Sequence, residues 1–169
     1  EPNTETVKYL NYLNSIIHEA TGVKGTIVQS VSEEYKPEDI DLAFSSPPYF
    51  NLEKYSDEST QCMVRYKTLD EWFEGYVKPT MENIYNGLNG EGIFATNIAD
   101  YKSYDRKEPY EVVEDWIQNA KRIGFKHIQT IKMMLTTRPG VGNDRKQGRE
   151  RSEREGKREI RKRKRKRKE

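Results

Sequence analysis

Cysteine is nearly missing from this sequence: Cys62 is the only one in 169 residues. One thiol excludes an internal disulfide framework and a multi-cysteine zinc site, and it suits a reducing compartment. Histidine is almost as scarce. His18 falls one position past an apolar helical stripe and reads as a solvated residue. His127 falls in an apolar, strand-like run and reads as structural, with no second His or Cys beside it to share a metal. Neither a stretch approaching the ~20 apolar residues of a membrane span nor a signal peptide is visible. No internal repeat is found.

Charge, by contrast, is abundant and unevenly placed. From Asn143 to Glu169 there are 15 Lys/Arg and 6 Asp/Glu, a net of +9, which leaves 15 and 22 in residues 1–142, a net of −7. The expectation is an acidic globular body, 1–142, and a basic low-complexity tail, 143–169. The tail has one aliphatic residue, Ile160. It cannot bury enough surface to offset its ordering entropy unless a partner supplies that surface. It reads as a nucleic-acid-binding arm, or as a solvated or added segment.

The body alternates helical and extended patterns. "NTETVKYLNYLNSIIHEATG" places Val7, Leu10, Leu13, Ile17 and Ala20 at helical spacing, with Asn3 or Thr4 as cap and Gly22 as stop. "GTIVQS" and "IDLAF", 40–44, are short strand signatures. Residues 51–67 show no period and read as a mobile loop. "TLDEWFEGYVKPTMENIYNGLNGEG" opens on a capping box, Thr68 and Glu71. It carries an apolar face of Trp72, Phe73, Val77, Met81, Ile84 and Leu88, a kink at Pro79 and a Gly-rich stop. "GIFATNI", 92–98, is a third strand. "PYEVVEDWIQNAKRIG" is a helix with Pro109 in its first turn. "FKHIQTIKMML", 125–135, is a long fourth strand. Alternation of this kind predicts an α/β fold with a largely parallel, covered sheet.

The stretch that singles itself out is "FSSPPYFN", 44–51. Proline has no N–H and a fixed φ, so Pro47-Pro48 belongs to neither a helix interior nor a central strand. The residue before each proline is pushed to extended backbone. Ser46-Pro47-Pro48-Tyr49 is therefore a stiff segment at the carboxyl end of a strand, where open α/β sheets bind ligands. Ser46 offers a hydroxyl acceptor, Pro47 a rigid carbonyl and Tyr49 a flat ring. Two placed acceptors and a stacking ring suit an aromatic amine. Accepting from both its N–H bonds frees a lone pair otherwise delocalised into the ring, and the ring gives an extruded base a new stacking partner. Taken alone, the string also reads as a rigid connector or a polyproline II ligand.

"SSPPYF" resembles motif IV of the S-adenosylmethionine-dependent DNA amino-methyltransferases, and the resemblance covers about residues 1–142. Its Ser form is more similar to the N4-cytosine than to the N6-adenine enzymes. The resemblance implies that Ser46, Pro47, Pro48 and Tyr49 are catalytic. "EPN" looks like the acidic end of the second family strand, which would set Glu1 on the cofactor ribose; a helix-capping role for Glu1 is the alternative. Gln29 and Ser30 of "VQS" fall where the third strand approaches the cofactor adenine, or simply begin a loop. The family often has an acidic residue there, so Gln29 is a departure. "GIFATNIADY" resembles the fifth strand, whose Asn97 either approaches the site or starts a loop. "TIKMMLTTRPG" resembles the next strand and the loop behind the target base.

The same resemblance implies a Rossmann-like methyltransferase sheet that is incomplete, with the first two strands, their Gly-rich cofactor loop and the last antiparallel strand not in this chain. The segment before Glu1 is expected to be missing, "GTIVQS" is expected to lack a neighbour, and a second chain or missing segment would complete the sheet. The implied reaction is methylation of cytosine N4, or adenine N6, in DNA within a cytoplasmic, prokaryotic or phage-like restriction-modification setting, with no membrane. The alternatives are a non-enzymatic nucleic-acid-binding or interaction fragment with a relict motif, and an RNA amino-methyltransferase.

Overall fold

Asn3 starts the first helix. Its Oδ1 accepts from the Thr6 N–H at 2.8 Å, which satisfies one of the unpaired amides at a helix start. In this computed structural model, which describes residues 1–102 and 108–133, helix α1 runs Thr4–Thr21. Gly22 ends it in the left-handed region at φ 75°, where its N–H reaches the His18 carbonyl at 2.8 Å. The expected stripe is present, but no residue of α1 is buried: Leu13 and Ile17 are about half exposed, and Tyr9 and Tyr12 more so.

The fold is mixed α/β with a small sheet. Strand β1, Ile40–Ser45, pairs in parallel with β2, Leu88–Thr96, in the register Leu42↔Ile93, Ala43↔Phe94, Phe44↔Ala95 and Ser45↔Thr96. Between them lie α2 (Cys62–Arg65), α3 (Leu69–Trp72), a π-helical turn (Phe73–Val77) and α4 (Lys78–Gly87); α5 (Val112–Ile123) follows β2. Side chains alternate across a strand. One face of the pair turns Phe94 toward the core, whereas Leu42, Phe44 and Ile93 on the other face are exposed.

The core is built by helices rather than strands. Trp72, Tyr76, Val77 and Met81 from the α3–α4 run meet Val112 and Trp116, four apart on α5, with Phe50 and Tyr110 closing the cluster. Trp72, Val77, Met81 and Val112 are fully buried, each worth roughly 1.5–3 kcal/mol in removal from water. Residues 1–128 form one compact unit.

The α3–α4 run also shows how tertiary contact reshapes a helix. Pro79 has no N–H to give the carbonyl of Gly75 four residues earlier. The Tyr66 hydroxyl reaches that carbonyl instead, at 2.8 Å, and Lys78 bonds back five residues to Phe73. A Cβ at position 75 would lie 2.4 Å from the Tyr66 ring, so glycine is required for that ring's approach. The capping box forms in shifted guise. Thr68 accepts from the Glu71 N–H at 3.1 Å, and Glu71 reaches back to the Lys67 N–H at 2.7 Å.

Several expectations are corrected. "GTIVQS", 25–30, is not a strand, and residues 125–133 of the expected strand 125–135 carry none either. Neither run has a ladder neighbour among the described residues, and a strand is completed only when its backbone groups are paired. Strand β2 begins at Leu88 rather than 92, so the Gly-rich stop of the helix is largely strand. Residues 51–67 contain the short helix α2. Pro109 precedes α5 instead of opening it, because Tyr110 is held in an antiparallel bridge to Tyr101. The end of the 125–135 run and the basic tail, 143–169, lie outside the described residues. Among the described residues no helix is long and apolar enough to cross a membrane.

Candidate functional site

Strand β1 stops where the prolines begin. Ser45 is its last residue, and its carbonyl accepts the Asn97 N–H at 2.8 Å. Ser46 is exposed, Pro47 buried, Pro48 and Tyr49 half-buried, and Phe50 inserts into the core against Tyr110. The stiff turn therefore lies at the carboxyl end of a parallel strand, as its stereochemistry requires.

A second strand end clamps it. Every other residue after β2 makes one bond to the turn: Asn97 N–H to Ser45 O, Ala99 N–H to the Tyr49 hydroxyl oxygen at 2.9 Å, and the Tyr101 hydroxyl to Phe50 O. Tyr101 also meets Tyr49 in a T-shaped contact at 4.8 Å and stacks on Tyr110 at 5.2 Å. Tyr49 is thus fixed at both its ring and its hydroxyl, while among the described residues Ser46 has no hydrogen-bond partner. An exposed, unoccupied acceptor beside an anchored ring can engage a flat amine.

Glu1, Gln29 and Ser30 come together at the start of α1. The Glu1 carbonyl accepts the Ser30 N–H at 3.3 Å, and the Gln29 amide donates to Thr4 Oγ1 at 3.0 Å. The Glu1 carboxylate accepts the Asn3 N–H through Oε1 at 2.9 Å, which is the capping role, and leaves its other oxygen for a second donor. Ser30 gives its hydroxyl proton to Val31 O at 3.0 Å. As for a bound S-adenosylmethionine, this donor set fits a ribose edge through Glu1 and offers no wrap for a methionine moiety.

The loop after the turn returns to this cluster. Glu58 accepts from Asn3 Nδ2 at 3.2 Å, and the Tyr55 hydroxyl donates to Glu53 at 2.5 Å. Burial, then the Glu53 bond, then the charges of Glu53 and Glu1 push the Tyr55 hydroxyl up to about 12. The rim so formed is acidic: Glu53, Glu58 and the Lys54-paired Asp57 outnumber Lys54.

Composition did not point to Ala99 or Tyr101, because their roles rest on backbone direction and a register of two. Nor did it point to the polar cluster under α2. There Glu33, its side chain 7% exposed, pairs with Arg65 at 3.1 Å and sits 2.7 Å from the Tyr66 hydroxyl, whose single proton Gly75 O also attracts. Burial first, then the Glu33 charge, push the neighbouring Cys62 thiol up to about 12, which keeps it protonated and unreactive. Among the described residues no group of three or more His, Cys, Asp or Glu could hold a metal. An open groove of about 490 Å³ between α4 and α5, lined in part by Lys78, Glu82 and Arg122, includes none of the turn residues. No protein-family model, no curated protein and no solved structure matches the chain.

Proposed function

We propose that this chain is part of an amino-methyltransferase that modifies the exocyclic amine of a DNA base, cytosine N4 in preference to adenine N6. One observation carries the reading: Ser46-Pro47-Pro48-Tyr49 is held rigid at the carboxyl end of a parallel strand, with the ring anchored and the Ser46 hydroxyl open. In this reading Ser46 Oγ and Pro47 O accept the two amine N–H bonds and Tyr49 stacks on the flipped base. S-adenosylmethionine would supply the methyl group as an electrophile, its ribose on Glu1 near Gln29 and Ser30.

The sheet of this reading is an incomplete Rossmann-like one. Parallel sheets are covered on both faces, yet Leu42, Phe44 and Ile93 are exposed and α1 buries no residue. These surfaces favour a second chain or a further segment that completes the sheet and the cofactor pocket. The acidic rim leaves the hold on DNA phosphates to the basic tail. The open surfaces equally favour a second reading, a non-enzymatic nucleic-acid-binding or interaction fragment whose motif is a relict. An RNA amine is the remaining substrate.

Incubation of the chain, alone and with any protein that co-purifies with it, with tritiated S-adenosylmethionine and either DNA or RNA of random sequence decides among these. Label in N4-methylcytosine after nuclease digestion is expected. Label in RNA alone redirects the substrate, and DNA retention without label in any base favours the relict.

A further inference from the structure

We infer that Asn97 is a second polar contact to the substrate base: its side-chain amide donates to the ring nitrogen beside the exocyclic amine while Ser46 takes an amine N–H. The inference deepens the amino-methyl-transfer reading and rests on it.

The placement is set by the register. Ser45 pairs with Thr96, and the Asn97 N–H to Ser45 O bond at 2.8 Å is the last rung of the parallel ladder. The next pair across is Ser46 and Asn97, on chains ~4.8 Å apart. Because side chains alternate, both follow Leu42, Phe44, Ile93 and Ala95 onto the open face of the sheet rather than the core face. Ser46 stays on that path because a residue before proline is extended. Both residues are exposed, and no hydrogen bond engages either side chain among the described residues. An asparagine that merely opened a loop would commit its amide to nearby backbone; Asn97 commits only its main-chain N–H.

The chemistry selects the ligand. In cytosine and in adenine the amine lies next to a ring nitrogen that only accepts. That edge calls for an acceptor beside a donor, which a serine hydroxyl and an asparagine NH₂ provide. Uracil carries a carbonyl beside a ring N–H; the Ser46 hydroxyl could donate to it and the Asn97 amide could turn its oxygen to the N–H, but the Pro47 carbonyl, which only accepts, would face the uracil carbonyl unpaired. Two residues on, the Ala99 N–H holds the Tyr49 hydroxyl, and four on, Tyr101 packs against its ring. The strand end that carries Asn97 thus also anchors the ring, and the ligand class is an amino-substituted nitrogen heterocycle whose amine flanks a bare ring nitrogen.

The test titrates the full chain, labelled with ¹³C and ¹⁵N, with deoxycytidine, deoxyadenosine and deoxyuridine. It follows the Asn97 NH₂ and the Tyr49 ring by NMR. The Asn97 signal is expected to move with the first two nucleosides and not with deoxyuridine. Asn97→Asp, which replaces the donor by an acceptor, should weaken deoxycytidine binding about ten-fold while the Tyr49 shifts on binding persist. Asn97→Ser, shorter but still able to donate, should fall between. A Tyr49 response with a silent Asn97 and an unchanged affinity of Asn97→Asp overturns the inference and leaves the methyl-transfer reading standing. Silence of both residues toward all three nucleosides overturns both.

Discussion

The Ala99 N–H donates to the phenolic oxygen of Tyr49 at 2.9 Å, so the aromatic of the proline turn is tied by its hydroxyl to the end of the adjacent strand. Tyr49→Phe removes that one bond and should cost about 0.5–1.5 kcal/mol of stability, read by urea denaturation. Tyr49→Ala also removes the ring from Tyr101 and, in the proposed reading, from the base. In the complete protein it should slow methyl transfer by a stacking loss of roughly 1–3 kcal/mol and weaken S-adenosylmethionine binding less. Equal losses in tritium transfer and in cofactor titration would make Tyr49 a packing residue only.

Gly75→Ala should destabilise the fold by about 1–3 kcal/mol, because the new methyl would sit 2.4 Å from the Tyr66 ring. Tyr66→Ala in the same chain removes the clash. The paired substitutions should then be less destabilising than the sum of the singles, which a double-mutant cycle measures directly. Strict additivity would mean that the glycine serves the π turn's backbone and not the ring.

Cys62 gives a pH signature. Its folded-state pKa is about 12 against an ordinary 9.0, with burial the larger cause. Above pH 9 the unfolded thiol has lost its proton and the folded one has kept it, so the contribution is whole below pH 9 and falls as pH rises toward 12. Chemical denaturation across that window should show wild type losing stability more steeply than Cys62→Ala. Parallel curves would place the thiol in an ordinary environment.

Deletion of residues 143–169 should flatten the dependence of log DNA affinity on log salt by up to about 0.9 for each phosphate the tail had neutralised. Base preference should be unchanged, since phosphate contacts carry no sequence information. Affinity against salt for both lengths checks this. An unchanged slope means that the tail does not touch DNA, and an altered target sequence means that it reads bases.

Local stereochemistry was the legible part of this sequence. Asn3 and Thr68 as caps, Gly22 as a stop and two prolines ending β1 are each decided within a few residues of chain. Pairing was legible only in part: the runs 40–44 and 92–98 were expected as strands of a parallel sheet and pair in parallel, but the other two runs do not. "GTIVQS" and residues 125–133 have strand composition and no strand, because a ladder depends on what lies alongside. The π turn needed the meeting of Tyr66, Gly75 and Pro79, residues read separately as loop, helix and kink. Of the candidate site, the Ser-Pro-Pro-Tyr turn could be placed from sequence. The clamp of Asn97, Ala99 and Tyr101 could not, since two of its three bonds come from main-chain N–H groups that almost any residue supplies.

An eighteen-residue helix without a buried side chain has little tertiary packing to hold it. Most helical stability in proteins comes from packing an apolar face rather than from propensity, so α1 is expected among the segments that open first, before Val77 and Met81 feel water. Glu1, Gln29 and Ser30 hang on its first turn through Asn3 and Thr4. When α1 frays, those three lose their common anchor together, and the Glu58 end of the loop after Tyr49 loses its foothold as well. Whatever covers Leu13, Ile16 and Ile17 would therefore act at a distance. By damping the fraying of one helix it would hold in register the residues on which a ribose would rest.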